Sequence, residues 1–207
     1  QRGYAEVPAG ERDYVFMSDF RADAQASPLK TGSGKIELFC QTIADYQLED
    51  MAGHPEWRAP QEWLGSEQAE RFPLHMISVQ PADRLHSQLD ATPDVQANKT
   101  AGHETLWMHP QDAAARGVSD GDEIEVFNAR GMMLAGVQLS DGLTPGVVVI
   151  STGAWFDPGF GGAWRPWDRA GNPNVLTLDI GTSLLTQGPN AMSCLVEIRP
   201  RQTLQKG

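Results

Sequence analysis

Cysteine is scarce: two thiols, Cys40 and Cys194, stand far apart in a chain of 207 residues. With no CxxC pair they exclude a disulfide framework and a zinc ribbon, and both are expected as buried thiols. Long apolar runs are missing as well. No stretch of about 18 apolar residues occurs, which excludes a membrane-inserted helix, and the opening QRGYAEVPAGERDY lacks the basic-then-apolar build of an export signal. Positive charge is in deficit, with 16 Lys and Arg against 27 Asp and Glu and a formal net charge of -11. Such a balance argues against nucleic acid as a partner, because duplex binding relies on Lys and Arg neutralising phosphates. An anionic small molecule held by backbone N–H groups stays open.

Self-contained catalytic motifs are absent too. There is no GxSxG, no HExxH, no P-loop and no GxGxxG in a strand-to-helix setting. His54, His75, His86, His103 and His109 lack zinc-ligand spacing, and His75 and His109 are expected as ordinary packed or surface residues. No residue of this chain is therefore assigned as catalytic or as a metal ligand.

What is present is turn chemistry: 21 Gly and 14 Pro exclude an all-helical bundle. Residues 1–70 read as a small α/β connecting segment, with an extended stretch DYVFMSDF, a strand over Lys35–Cys40 and an irregular Pro- and Trp-rich run, LEDMAGHPEWRAPQEWLG. Near Arg71 the pattern becomes regular and stays so to about residue 200. Strands are expected at PLHMISV, ETLWMH, Glu123–Asn128, Met132–Leu139, VVVIS and SCLVEI. A polar loop runs to about Gly102, and a short helix DAAARG starts at Pro110 and ends with Gly117 at its C′ position. Helix, Asp120-Gly121-Asp122 turn, strand, Arg130-Gly131 turn, strand, Pro145-Gly146 turn and strand resemble the repeating unit of a double-psi β-barrel, although a plain hairpin meander fits the same order. Residues 152–173 make a long Gly-, Trp- and Pro-rich loop, of the length that usually serves function, and 201–207 form a flexible basic tail.

Two clusters carry ligand chemistry. Arg84-Leu85-His86-Ser87-Gln88 follows a buried strand: Arg forks onto phosphate or stacks on a ring, His and Ser donate to heteroatoms, and Gln donates and accepts on a heterocycle edge. The set suits a purine-like or pterin-like ligand, and an ordinary polar loop remains the alternative. The second cluster spans Asn174 to Ser183 with Thr186-Gln187-Gly188, whose amides, hydroxyls and glycines either meet a ligand or form turns and caps, Asp179 and Ser183 being good capping residues.

At these residues the chain resembles the C-terminal region of the DMSO reductase family of molybdopterin oxidoreductases, in the branch of dimethyl sulfoxide, trimethylamine N-oxide and biotin sulfoxide reductases. The likeness runs through SGKIELF, HMIS with RLHSQLD, AGHE, HPQDAAARGVSDGDEIEVFNARG, PGVVVISTGAWFDP and NPNVLTLDIGTSLLTQG. It implies a mainly β double-psi barrel over 71–200 that closes on two molybdopterin guanine dinucleotides of a molybdenum centre. Arg84, Leu85, His86, Ser87 and Gln88 would border one pterin and its phosphates. Asn174, Gln187 and Gly188 would meet the cofactor pair from a second loop, with Trp155 near the funnel. The whole enzyme would then reduce S-oxides or N-oxides by oxygen-atom transfer at that centre. Its partners would be the N-terminal domains of the same polypeptide, a small oxide and an electron-donor protein. The resemblance implies a periplasmic protein, or a cytoplasmic one if it acts as a biotin sulfoxide reductase, and no activity for the fragment alone. A stand-alone double-psi-barrel adaptor and a formate or nitrate enzyme are the competing readings.

Overall fold

The computed structural model describes residues 3, 5, 15–159, 167–190 and 192–201. Two compact units divide the chain, Gln1–Glu56 and Trp57–Gly207.

In the first unit the described residues form two short helices, α1 (Ser18–Ala22) and α2 (Gln41–Asp45). Two expectations are corrected there. DYVFMSDF is not an extended run, because Met17 takes a left-handed φ of 60° and the chain turns directly into α1; residues 13 and 14 lie outside the described residues. Lys35–Cys40 alternates like a strand but forms none, since no ladder partner is at hand: Ser33 N–H is bound to the Glu37 carboxylate and Cys40 N–H to the Gly53 carbonyl. Alternation shows that a segment suits a sheet, and only a paired neighbour makes it a strand.

The second unit is mainly β. Its strands are β1 (Leu74–Val79), β2 (Thr105–Met108), β3 (Glu123–Phe127), β4 (Met132–Leu139), β5 (Val147–Ser151), β6 (Trp167–Asp168) and β7 (Ser193–Pro200), with the short helices α3 (Pro93–Ala97) and α4 (Pro110–Ala114). The order β2-β5-β1-β7-β3-β4 closes on itself through a parallel β2–β4 pair, giving a six-stranded barrel with β6 added beside β4. Two parallel pairs, β1–β5 and β2–β4, stand among four antiparallel ones around the ring, which is the double-psi arrangement and not a meander.

Inward-facing Met76, Leu106, Met108, Ile124, Val126, Met133, Val137, Val148, Ile150 and Ile198 fill the interior. Closure leaves no open edge on these six strands, so their N–H and C=O groups are paired around the ring. Helix α4 ends in a Schellman motif, with Val118 N–H on the Ala113 carbonyl, Gly117 N–H on the Ala114 carbonyl and Gly117 at φ 65°, so glycine does stand at C′. Its N-cap is His109, whose Nδ1 accepts Gln111 N–H at 3.0 Å. In the turn that follows, Asp122 accepts Ser119 N–H while Asp120 accepts Leu139 N–H at 2.7 Å, fastening the end of β4. Helix α3 was not expected within the polar loop; Thr92 in extended conformation and Pro93 at its first turn begin it.

The second unit starts earlier than the composition shift at Arg71, for a physical reason. Glu62 is almost fully buried, receives both Nη groups of Arg130 and also accepts Leu195 N–H of β7.

Candidate functional site

Strand directions gather the candidate residues on one rim of the barrel. β1 and β5 run parallel in register, Val79 opposite Ser151, so the loops that leave them emerge together. β7 is antiparallel to β1 with Ser193 opposite Ile77, so the chain entering β7 arrives at the same end, where Met192 O accepts Ser78 N–H. The start of β2 and the β3–β4 turn lie there too, by the antiparallel β2–β5 and β3–β7 pairs. The Asp120–Asp122 turn occupies the opposite end.

Within the first cluster the residues separate into one anchor and four outward-facing neighbours. Arg84 is buried, and its Nη2 donates to Glu104 Oε2 and to the Thr152 carbonyl, both at 2.9 Å. Leu85, His86, Ser87 and Gln88 are exposed. His86 stands at φ 51° and Leu89 at φ 70°, conformations that side chains beyond glycine adopt only when the surroundings enforce them. Here the enforcement is visible. Gly153, at φ 98°, lies so close that an added Cβ would fall 1.9 Å from the His86 carbonyl oxygen, and Trp155 Nε1 donates to Ser87 O at 2.8 Å. Gln80 Nε2 meets His86 Nδ1 at 3.1 Å. The side chains of Ser87, Gln88 and Asn174 make no hydrogen bond among the described residues, so their donors and acceptors remain available.

Beneath this loop lies a charge cluster that composition did not reveal. Asp90 Oδ2 accepts Trp155 N–H at 3.1 Å, and its Oδ1 stands 3.0 Å from Lys99 Nζ and 3.8 Å from Arg84 Nε. Those are ion-pair distances without well-aligned hydrogen bonds, since both Asp90 Oδ1 and Arg84 Nε lack a hydrogen-bond partner. Lys99 and Asp90 side chains are each 6% exposed. Burial raises the Glu104 carboxyl above the usual range, and the Arg84 and Lys99 charges offset this only in part. Trp155, 60% exposed, borders a hollow of about 470 Å³ together with Asp157, Arg169 and His103. His103 itself bridges Glu123 Oε1 at 2.6 Å and Arg169 O at 2.5 Å.

The second cluster is ordered by groups that the sequence did not single out. Asp168, wholly buried, accepts Asp157 N–H on Oδ1 and Ala170, Gly171 and Asn172 N–H on Oδ2, at 2.7 to 2.9 Å. The Leu176 carbonyl accepts from both Asn128 Nδ2 and Arg130 Nε at 2.8 Å, tying the segment after Asn174 to the β3–β4 turn. Asn174 is exposed in a 3-10 turn (Pro173–Val175) capped by Asn172. Gln187, at φ 48°, is turned back on its own loop, its amide donating to Ser183 O at 2.8 Å. Gly188 O accepts Thr182 N–H at 2.8 Å, and a Cβ on Gly188 would meet Thr182 Oγ1 at 3.0 Å. Ser183 acts as a turn cap, taking Thr186 N–H. Glu104 links the first cluster to the segment that leads to Asn174, its side chain bound to Arg84 and its N–H donated to Ala170 O.

Glu104 and Asp90 sit inside AGHE and RLHSQLD, so their neighbourhood was marked although their roles were not. Lys99 and Asp168 carried no pattern at all, because a buried ion differs from a surface one only in its surroundings. Of the two cysteines, Cys194 is fully buried, as expected, and Cys40 is half-buried. Residues 160–166 of the aromatic loop and 202–207 of the expected flexible tail lie outside the described residues; Arg201 donates its N–H to Glu123 O.

The closed six-stranded double-psi barrel with one loop-rich rim belongs to a dinucleotide-binding class, as its family match shows. Residues 74–195 match the molydopterin dinucleotide binding domain, and the chain belongs to that family. It is 45% identical over 197 residues to biotin sulfoxide reductase of Cereibacter sphaeroides, covering 95% of this chain and 26% of that protein. Against trimethylamine-N-oxide reductase of Salmonella typhimurium the identity is 49% over 187 residues, covering 89% and 22%. Dimethyl sulfoxide/trimethylamine N-oxide reductase of Cereibacter sphaeroides is 41% identical, over 95% and 24%. The chain thus spans about a quarter of the curated relatives it matches. Among solved structures, acetylene hydratase from Pelobacter acetylenicus shares the fold at a TM-score of 0.66 and 19% identity, over 84% of this chain and 24% of that one.

Proposed function

We propose that this chain is the C-terminal cofactor-binding part of a molybdenum oxidoreductase that reduces S-oxides or N-oxides, with residues 71–200 as the dinucleotide-binding domain and the chain before Arg71 as the connection from a preceding domain. The observation that carries the reading is the rim itself. Strand register brings RLHSQ, Trp155 and the loop ending in Gly188 to one end of the barrel, and leaves Leu85, Ser87, Gln88 and Asn174 facing outward. Leu85, Ser87, Gln88 and Asn174 line neither the hollow beside Arg84 nor the one beside Trp155. They form a face rather than a cavity, as half of a site needs if the other half belongs to further protein.

The donor set fits a pterin and guanine system. Ser87 and Gln88 offer hydroxyl and amide groups that can meet heterocycle edges, His86 adds a ring nitrogen and Asn174 a second amide. Gly188 leaves room for close backbone approach. Leu85, His86, Ser87 and Gln88 would hold one pterin side with Arg84 buried beneath them, and Asn174, Gln187 and Gly188 would meet the group from the other loop. The bis(molybdopterin guanine dinucleotide) molybdenum group supplies the redox change of oxygen-atom transfer when bound, and these residues bind and orient it. An electron-donor protein and a small oxide complete the proposed partners, and the proposed setting is periplasmic or, for a biotin sulfoxide reductase, cytoplasmic. No helix among the described residues is long and apolar enough to cross a membrane.

Dye-linked turnover is the test. The full-length polypeptide should oxidise a reduced viologen when given dimethyl sulfoxide, trimethylamine N-oxide or biotin sulfoxide, and the 207-residue chain alone should not. A molybdenum-loaded polypeptide that turns over none of the oxides would overturn the substrate class.

A further inference from the structure

Arg84 was expected to reach a phosphate, and its surroundings assign it other work. Its side chain is 2% exposed, and Nη2 is engaged by Glu104 Oε2 and the Thr152 carbonyl at 2.9 Å each. Nη1 faces Asp83 Oδ1 at 3.6 Å and Nε faces Asp90 Oδ1 at 3.8 Å. Nη2 alone is hydrogen-bonded; Nη1 and Nε stand at ion-pair distance from the chain's own carboxylates, and Nε has no hydrogen-bond partner. The acceptors of Nη2 belong to the elements that shape the rim. Thr152 begins the loop whose Gly153 touches the His86 carbonyl and whose Trp155 is pinned to Ser87 and Asp90. Glu104 receives Arg84 and, through its backbone, holds Ala170 in the segment that leads to Asn174.

We propose that Arg84 is a positioning residue: its guanidinium joins Thr152 and Glu104, sets where the His86–Gln88 backbone and the Trp155 ring stand, and does not itself contact the cofactor. The proposal rests on the cofactor-face reading above. Both bonds come from one planar nitrogen, Nη2, whose two hydrogens diverge at a fixed angle, whereas a lysine ammonium is a rotating point charge on a flexible stem. A phosphate contact would tolerate lysine, which binds phosphate well. A two-acceptor brace would not.

The experiment uses the full-length polypeptide, unsubstituted and with Arg84→Lys or Glu104→Gln, produced with ample molybdenum. Guanine nucleotide released per chain is measured together with hydrogen exchange at residues 85–89 and 153–156 and along β1 and β5. The positioning role predicts that both substitutions lower nucleotide content, each by roughly tenfold as for a lost charge-assisted bond, with faster exchange in the two loops and unchanged exchange in the strands. Full nucleotide content in Arg84→Lys overturns it in favour of a phosphate contact. So does loss in Arg84→Lys while Glu104→Gln keeps full content, because the brace needs the charged Glu104 side chain on Arg84 and the substitution leaves the Glu104 backbone bond to Ala170 in place. Equal acceleration of exchange in loops and strands reduces Arg84 to general stabilisation and overturns the proposal as well. Absence of guanine nucleotide from the unsubstituted polypeptide overturns the cofactor-face reading and the proposal with it. If Glu104→Gln fails to fold, Thr152→Pro is uninformative, so Arg84→Met with Glu104→Met serves instead: the pair should retain more nucleotide than Arg84→Met alone, and additive losses contradict the brace.

Discussion

Arg130 closes a two-point ion pair on Glu62, Nη1 to Oε1 at 2.5 Å and Nη2 to Oε2 at 2.9 Å, and the same carboxylate accepts Leu195 N–H at 3.0 Å. This clamp fastens the segment before Arg71 onto β7 and onto the β3–β4 turn. Removing the acid leaves a part-buried guanidinium and a buried N–H unsatisfied. Glu62→Ala should therefore cost about 3 to 5 kcal/mol in urea unfolding, the range for breaking one side of a buried pair.

The same carboxylate gives the stability a sign with pH. Burial alone would raise its pKa, but the Arg130 hydrogen bonds, Leu195 N–H and the charges of Arg130 and His75 together outweigh burial and hold it below the usual value near 4.5. A depressed folded pKa contributes stability that is present above the unfolded value and is lost as pH falls through the folded one. Glu62→Gln should flatten the acid limb of stability against pH below about 4.5, while the unsubstituted chain declines there. Parallel acid limbs would contradict the clamp.

Asp168 is the organiser of the segment that leads to Asn174, with four backbone N–H groups on one buried carboxylate. Asparagine keeps one oxygen and turns an NH2 toward donors. Asp168→Asn should destabilise by about 3 kcal/mol, measured by urea unfolding, with faster amide exchange at residues 170–172.

Gly153 leaves no room for a side chain beside the His86 carbonyl and holds φ 98°. Gly153→Ala should cost about 2 kcal/mol or more from backbone strain alone. The thermal midpoint should fall, and proteases should cut preferentially within residues 85–89.

Burial pushes the Cys194 thiol up to about 12, so it carries almost no thiolate at neutral pH. Native protein should react with a thiol reagent at Cys40, which is half-buried, and Cys194 should label only after unfolding. Mass spectrometry of the labelled peptides distinguishes the two.

Sequence and structure part company at identifiable places. β1, β4 and β5 were legible because an apolar run or a clean alternation bounded by Gly and Pro leaves little else to form. Gly117 was legible as a helix stop because a left-handed C′ residue favours glycine. Lys35–Cys40 carried the alternation without a partner, and pairing is a tertiary fact. The same limit applied at Arg84: residue type announced a phosphate ligand, while Glu104 and Thr152 are 20 and 68 residues away and claim its guanidinium. HMIS lies within β1, and RLHSQ and TGAW stand on the loops that leave β1 and its neighbour β5. Which members face outward depended on Glu104, Lys99 and Asp168, whose burial no local pattern records.

The central claim, that this rim binds a molybdopterin dinucleotide, is tested most directly by metal analysis with pterin and guanine nucleotide release on the full-length polypeptide made with adequate molybdenum. The account predicts molybdenum with about two guanine nucleotides per metal. A folded polypeptide containing neither would contradict it and leave the barrel as an adaptor module.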